Sequence, residues 1–191
     1  MIRRLTRRYG RWRHTRGFGI HSPFAFSLIK DWLRPGSLYG MYGDAAIRET
    51  ADRMDEEMGG RDRKRVIRRG RTLLRVLGAL HPRTLWIAPG LPPTLRVAAD
   101  AAGYRREGRM ADDWRRASML VLGGEDSLYG AELMRWLSLP GQRIILVFDA
   151  PEGIVERLYS TMPDGLMLLG RRGALLVRRK GMRKLRYTVN L

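Results

Sequence analysis

Three positions in this sequence have the residue type and setting for chemistry. Asp149 ends the apolar run 144–148, and the carboxyl ends of buried parallel strands are where functional groups gather. Gly90 follows a second short apolar run, 84–88, inside the stretch Ala88-Pro89-Gly90-Leu91-Pro92-Pro93. A glycine there lets backbone N–H groups come close to a ligand. Glu107 lies 17 residues beyond Gly90, near the roughly 20-residue spacing at which dinucleotide-binding folds place a ribose-binding acid. Asp112 and Asp113 compete for that role, and Glu107 also reads as an exposed charge beside Arg105, Arg106 and Arg109. The chain has no cysteine and only three histidines, His14, His21 and His81, so thiolate zinc sites, cysteine nucleophiles and histidine-rich metal sites are outside its reach.

The elements that must position these residues follow from periodicity. Ser22-Pro23 reads as a helix cap and first-turn pair, with a helix running to about Leu33 before Pro35-Gly36. Asp44 caps a second helix, whose stripe is Ile47, Ala51, Met54 and Met58. A third spans about 62–79 with Val66, Ile67, Leu73, Leu74 and Leu77 inward, and its opening Arg-Asp-Arg-Lys-Arg run at 61–65 reads as a solvated first turn. From residue 84 the period changes. Strands are expected at 84–88, 104–110, 118–122, 143–148, 166–169, 174–177 and 185–189, with helices at 93–102, 131–137 and 154–160. Alternating strands and helices predict an α/β fold with a Rossmann-like, mostly parallel sheet, helices on both faces and an antiparallel C-terminal edge. The expected organisation is one domain over 1–191, with a helical lead-in at 1–80 and a Rossmann-like core at 84–191.

Charge adds a second theme. The formal net charge is +18, from 37 Lys/Arg against 19 Asp/Glu. Residues 1–30 and 165–191 each hold eight bases and no acid, so the two ends carry nearly all the excess. Ile2, Leu5, Tyr9 and Trp12 fall at helical spacing among Arg3, Arg4, Arg7, Arg8 and Arg11, a basic amphipathic segment. Near the other end stand Arg178, Arg179 and Lys180. These two clusters suit an anionic partner, RNA or an anionic lipid surface, with Tyr9, Trp12 and Tyr187 as stacking candidates. A solvated surface or, for 2–12, a helix packed on the domain accounts for the same residues. No apolar stretch approaches a membrane span, and the N-terminus lacks the apolar core of a signal peptide, which makes the expected location cytoplasmic.

The segment Gly19-Ile20-His21-Ser22-Pro23-Phe24, the helical lead-in to a strand at 84–88, and the strand 144–148 ending in Asp149 before a short helix and a Gly-rich strand pair together resemble a bacterial group of class I S-adenosylmethionine (SAM) methyltransferase-like proteins. The resemblance covers most of the chain, and the HSPF segment is its most specific part. It implies SAM as cofactor, Gly90 and Glu107 as cofactor-binding residues, and Asp149 as the polar residue nearest a transferred methyl. The sequence departs from the pattern at the first loop, where one glycine remains, the acid is absent and three prolines stand. Metal-dependent members of the fold place oxygen ligands after two strands; here Ala150 follows Asp149, and Gly123-Gly124 precede Glu125 and Asp126, so no metal is expected. Proline offers no N–H and cannot take positive φ. The expectation is therefore an impaired enzyme that binds SAM more weakly than about 1 mM or not at all.

Overall fold

A computed structural model describes residues 20–32, 41–54, 60–124 and 130–189. The basic segment 2–12, Gly19, the Pro35-Gly36 stop, Met58, Glu125 and Asp126 lie outside the described residues. Six strands form one sheet: β1 Leu85–Ile87, β2 Met119–Gly123, β3 Arg143–Phe148, β4 Leu166–Leu169, β5 Gly173–Arg178 and β6 Leu185–Thr188, in the spatial order β1-β2-β3-β5-β4-β6. β1, β2 and β3 are successive parallel neighbours, with Leu85 opposite Met119 and Met119 opposite Ile144. β5 runs antiparallel to both β3 and β4, and β6 pairs parallel with β4. The fold is thus α/β with a mostly parallel, Rossmann-like sheet. Its antiparallel C-terminal component is β5, set between β3 and β4.

The apolar runs explain the sheet. A strand covered on both faces has no polar alternation, and β2, β3 and β5 are buried along nearly their whole length. On one face pack α1 Pro23–Ser27 with its π-helical continuation Leu28–Trp32, α2 Met41–Arg53, α3 Gly60–Leu80 and α4 Pro93–Ala101. Val66, Ile67, Leu73, Leu74 and Leu77 of α3 are all buried there, as their spacing predicts. On the other face pack α5 Ala131–Ser138 and α6 Glu152–Thr161 with Trp114, against Leu120, Leu122, Ile145, Val147 and Leu176. Ser22 caps α1, its hydroxyl accepting from the Ala25 N–H at 3.3 Å. α2 starts three residues before Asp44, which sits in its first turn and ties α2 to α3 through Arg71 (2.7 Å) and to its own Arg48 (2.9 Å).

One expected strand is absent. Residues 104–108 form a series of turns, and of the segment 104–110 only Met110 bridges the sheet, opposite Leu85. Gly103 and Gly108 take positive φ (85° and 63°), and Tyr104 turns inward, its hydroxyl donating to the Pro82 carbonyl at 2.8 Å. The glycines and the buried tyrosine curl the chain before a ladder can form.

Candidate anion site at the carboxyl edge

The parallel strands end on one edge, which collects the loop after β1, Gly123-Gly124 after β2, Asp149 after β3 and the β4–β5 hairpin. That hairpin is tight: the Gly170 N–H donates to the Gly173 carbonyl at 2.8 Å, leaving Arg171 and Arg172 exposed at its tip. Two glycines allow the edge to close. A Cβ on Gly124 would stand 2.3 Å from the Asp149 carbonyl oxygen, and one on Gly173 would stand 2.5 Å from that of Val147. The Asp149 N–H donates to the Arg172 carbonyl at 2.7 Å, which fixes the hairpin over the end of β3.

Asp149 itself adopts a left-handed backbone, φ 57°. Aspartate is among the few side chains that tolerate that region. Its carboxylate faces α3 and meets two guanidinium groups, Arg65 at 2.7 Å and Arg69 in closer contact. Arg69 also lies over the Phe148 ring, 5.6 Å from its centre. Burial, followed by the charges of Arg65 and Arg172, pushes the Arg69 pKa down to about 10. Asp149 therefore serves two crowded cations, Asp62 stands farther off at 4.0 Å from Arg65, and among the described residues the buried Arg65 Nε has no hydrogen-bond partner.

Around this cluster is a cavity of about 330 Å³ between α3 and the β4–β5 hairpin. Its walls carry Arg61, Lys64, Arg65, Arg68 and Arg69 from α3, Arg171 and Arg172 from the hairpin, and Thr72 at its inner end. Positions 61, 65, 68 and 72 recur at i, i+4, i+7 and i+11, one stripe of the helix. Arg61, Lys64, Arg68, Arg171 and Arg172 have no carboxylate within ion-pairing distance among the described residues, and Asp149 is the only acid lining the cavity. A second cavity of about 410 Å³ opens on the α6 side of Asp149. There Arg186 is balanced by Glu156 at 2.7 Å and Glu152 at 3.8 Å. Arg171 and Arg172 at the hairpin tip line both cavities, and the α3 side adds Arg61, Lys64 and Arg68 to them.

Of the residues singled out from the sequence, Asp149 and Gly90 share the carboxyl edge and Glu107 does not. Gly90 is at the carboxyl edge, exposed, with φ 84°. In its loop the Ala88 N–H is used by the Val121 carbonyl (3.0 Å) and the Leu91 N–H bonds weakly back to the Ala88 carbonyl (3.4 Å). Leu91 turns in at the carboxyl end of β2, where its Cδ2 lies 3.3 Å from a Cβ built on Gly123. Glu107 lies at the opposite edge of the sheet. It accepts from Arg109 at 2.9 Å, and Arg109 bonds the Arg83 carbonyl at 3.0 Å just ahead of β1. Glu107 is therefore a partner of a structural arginine, far from Gly90. Two members of the expected basic C-terminal surface are also elsewhere. Arg178 is 7% exposed and pairs with Asp164 at 3.4 Å, while Tyr187 is in the core and cannot stack on a base. Arg179 and Lys180 are exposed. Among the described residues no group of three carboxylate or histidine side chains gathers as a metal site, and no helix is long and apolar enough to cross a membrane.

The α3 cations are what sequence reading missed. The available signal was the polar stripe at helical spacing opposite the buried one, whose first turns face the end of the central strand that Asp149 terminates. In comparison with known proteins, no family model, curated sequence or solved structure matches the chain.

Proposed function

We propose that this chain is a non-catalytic, methyltransferase-like α/β protein that binds a phosphate-bearing anion between α3 and the β4–β5 hairpin. The observation that carries this reading is the cavity with seven cationic side chains and one acid, that acid already shared by Arg65 and Arg69. Guanidinium groups converging from two elements match a tetrahedral oxyanion, to which arginine bonds through two N–H groups at once. A bound phosphate would relieve the mutual repulsion of Arg65, Arg69 and Arg172 and give the Arg65 Nε an acceptor.

The methyltransferase-like part of the reading draws on the HSPF segment and on the mostly parallel sheet. The residues at the expected cofactor loop do not fit an adenosyl group. Pro89, Pro92 and Pro93 give no donors, Leu91 packs against Gly123 where the cofactor would approach, and Glu107 is at the wrong edge for a ribose. Asp149, held by two guanidinium groups, is a positioning residue for the cation cluster.

Calorimetric titration at low salt tests the reading. Pyrophosphate is expected to bind with Kd below about 1 mM, and SAM to give no heat at that concentration. The Lys64→Glu/Arg68→Glu double variant, altered on the exposed side of α3, is expected to weaken pyrophosphate at least about tenfold. Micromolar SAM binding, or pyrophosphate binding indifferent to the double variant, would overturn it.

A further inference from the structure

A second basic concavity exists at the other edge of the same face. It is a groove of about 590 Å³ between the start of α1, at His21 to Phe24, and the β5–β6 connection at residues 179–183. Arg179, Lys180 and Arg183 line it, all exposed and none within ion-pairing distance of a carboxylate among the described residues. Their neighbours differ in this respect: Arg178 is paired with Asp164, and Lys184 donates to the Ser160 carbonyl at 3.0 Å. The groove is structurally built. Arg179 lies over the Phe24 ring at 4.9 Å, the Gly181 N–H is held by Asp164 at 3.2 Å, and Phe24 and Met182 rest on the same core layer as α3.

β5 gives the geometry. Gly173 at its start lines the α3 cavity, and Arg178 at its end immediately precedes the groove. Five residue steps at about 3.4 Å separate the two sites by about 17 Å along the strand. A stacked nucleic-acid strand advances about 3.4 Å per phosphate, so bridging that distance takes at least about five phosphates, fewer in an extended strand. The residues of β5 between them are buried, so a ligand that reaches both sites passes over the surface outside the strand. A ligand with a single phosphate occupies one of them; a linear polyanion occupies both.

We infer that the two sites are the ends of one track for single-stranded nucleic acid, engaged through its phosphodiester backbone. The track needs the phosphate-binding cavity proposed above as one of its ends. The chemistry on the walls favours backbone over base recognition. The free groups are guanidinium and ammonium, whereas Phe148 is buried under Arg69, Phe24 is covered by Arg179, and Tyr187 is in the core. Sequence preference is accordingly weak and salt dependence steep. A concave cavity sunk between a helix and a hairpin accepts a flexible single strand, whereas a planar lipid surface meets only the residues at its rim.

The experiment is a length series of unstructured oligouridylates, about 4, 8 and 16 nucleotides, spanning the site sizes usual for single-strand binders. Fluorescence anisotropy reads the intact chain against the Lys180→Glu/Arg183→Glu variant, which changes only exposed side chains of the groove. Pyrophosphate is titrated in parallel. The track predicts that affinity rises at least about tenfold from the shortest to the longest oligomer, because the second contact is intramolecular. It predicts that the groove variant removes most of that gain while leaving pyrophosphate binding within about twofold, since the altered charges lie beyond a Debye length. Equal affinity across the lengths, an unaffected 16-mer in the variant, or tighter binding to phosphatidylglycerol vesicles than to the 16-mer would overturn the track with the cavity reading left standing. Loss of pyrophosphate binding by the unaltered chain would remove both.

Discussion

Asp149 combines a left-handed backbone with a carboxylate wedged between Arg65 and Arg69. Among the described residues that carboxylate is the one acid lining the cavity, with Asp62 4.0 Å from Arg65 outside it, and it competes with any incoming phosphate. Asp149→Asn retains the side-chain shape and the tolerance for positive φ but removes the charge. It is expected to lower stability by about 1–3 kcal/mol, because two partly buried guanidinium groups lose their partner. It is also expected to tighten pyrophosphate several-fold, since the internal competitor is gone. Thermal melts and titration on the same preparation check both signs. A fall in affinity would mean that Asp149 contacts the ligand instead of standing in for it. The position of Asp149 was legible, because an apolar run of five residues ending in an acid marks the end of a buried strand. The partners were not, because arginines on a helix face look alike in sequence whether water or a cavity lies opposite them.

At the scale of elements, two contacts hold the site together. One is the close approach of the β2 end to the β3 end at Gly124 and Asp149. Gly124→Ala must push the Asp149 peptide away, and it is expected to cost more than about 2 kcal/mol and to weaken anion binding. The other is the Asp44–Arg71 pair, which locks α2 onto α3. Hydrogen bonding from Arg71, opposed by desolvation and helped by Arg48, holds the Asp44 carboxyl below its usual range. A carboxylate with a depressed folded pKa contributes stability that is present above its unfolded pKa of 3.8 and is lost as pH falls through the folded value. Asp44→Asn is thus expected to cost about 1 kcal/mol at neutral pH, with the difference from the unaltered chain vanishing at pH values well below 3.8. Denaturant melts across pH read this directly, and a pH-independent difference would contradict it. The elements themselves were readable where burial is two-sided: β2, β3 and β5 are continuous apolar runs. The segment 104–110 was misread because its aromatic and apolar residues suggested a strand. Two glycines in positive φ and the inward bond of Tyr104 to Pro82 decided against it, and both are tertiary facts.

For the whole molecule, the distribution of charge matters more than its total. The excess read from the two ends of the sequence is only part of the picture, since Arg178 is sequestered by Asp164 while α3, in the nominally neutral middle, carries Arg61, Lys64 and Arg68 with no ion-pairing carboxylate among the described residues. A count along the chain could not show this, because pairing is settled by which carboxylates the fold brings near. If phosphate contacts dominate, the affinity for a single-stranded oligomer falls with salt at a slope of about −0.7 per phosphate neutralised, and each cation removed from the cavity lowers that slope in step. The most direct test is where a tetrahedral oxyanion settles. Crystals soaked in tungstate are expected to show their strongest anomalous peak in the cavity between α3 and the β4–β5 hairpin, within bonding distance of Arg65, Arg69 and Arg172. Peaks confined to other sites, with that cavity holding only water, would contradict the account.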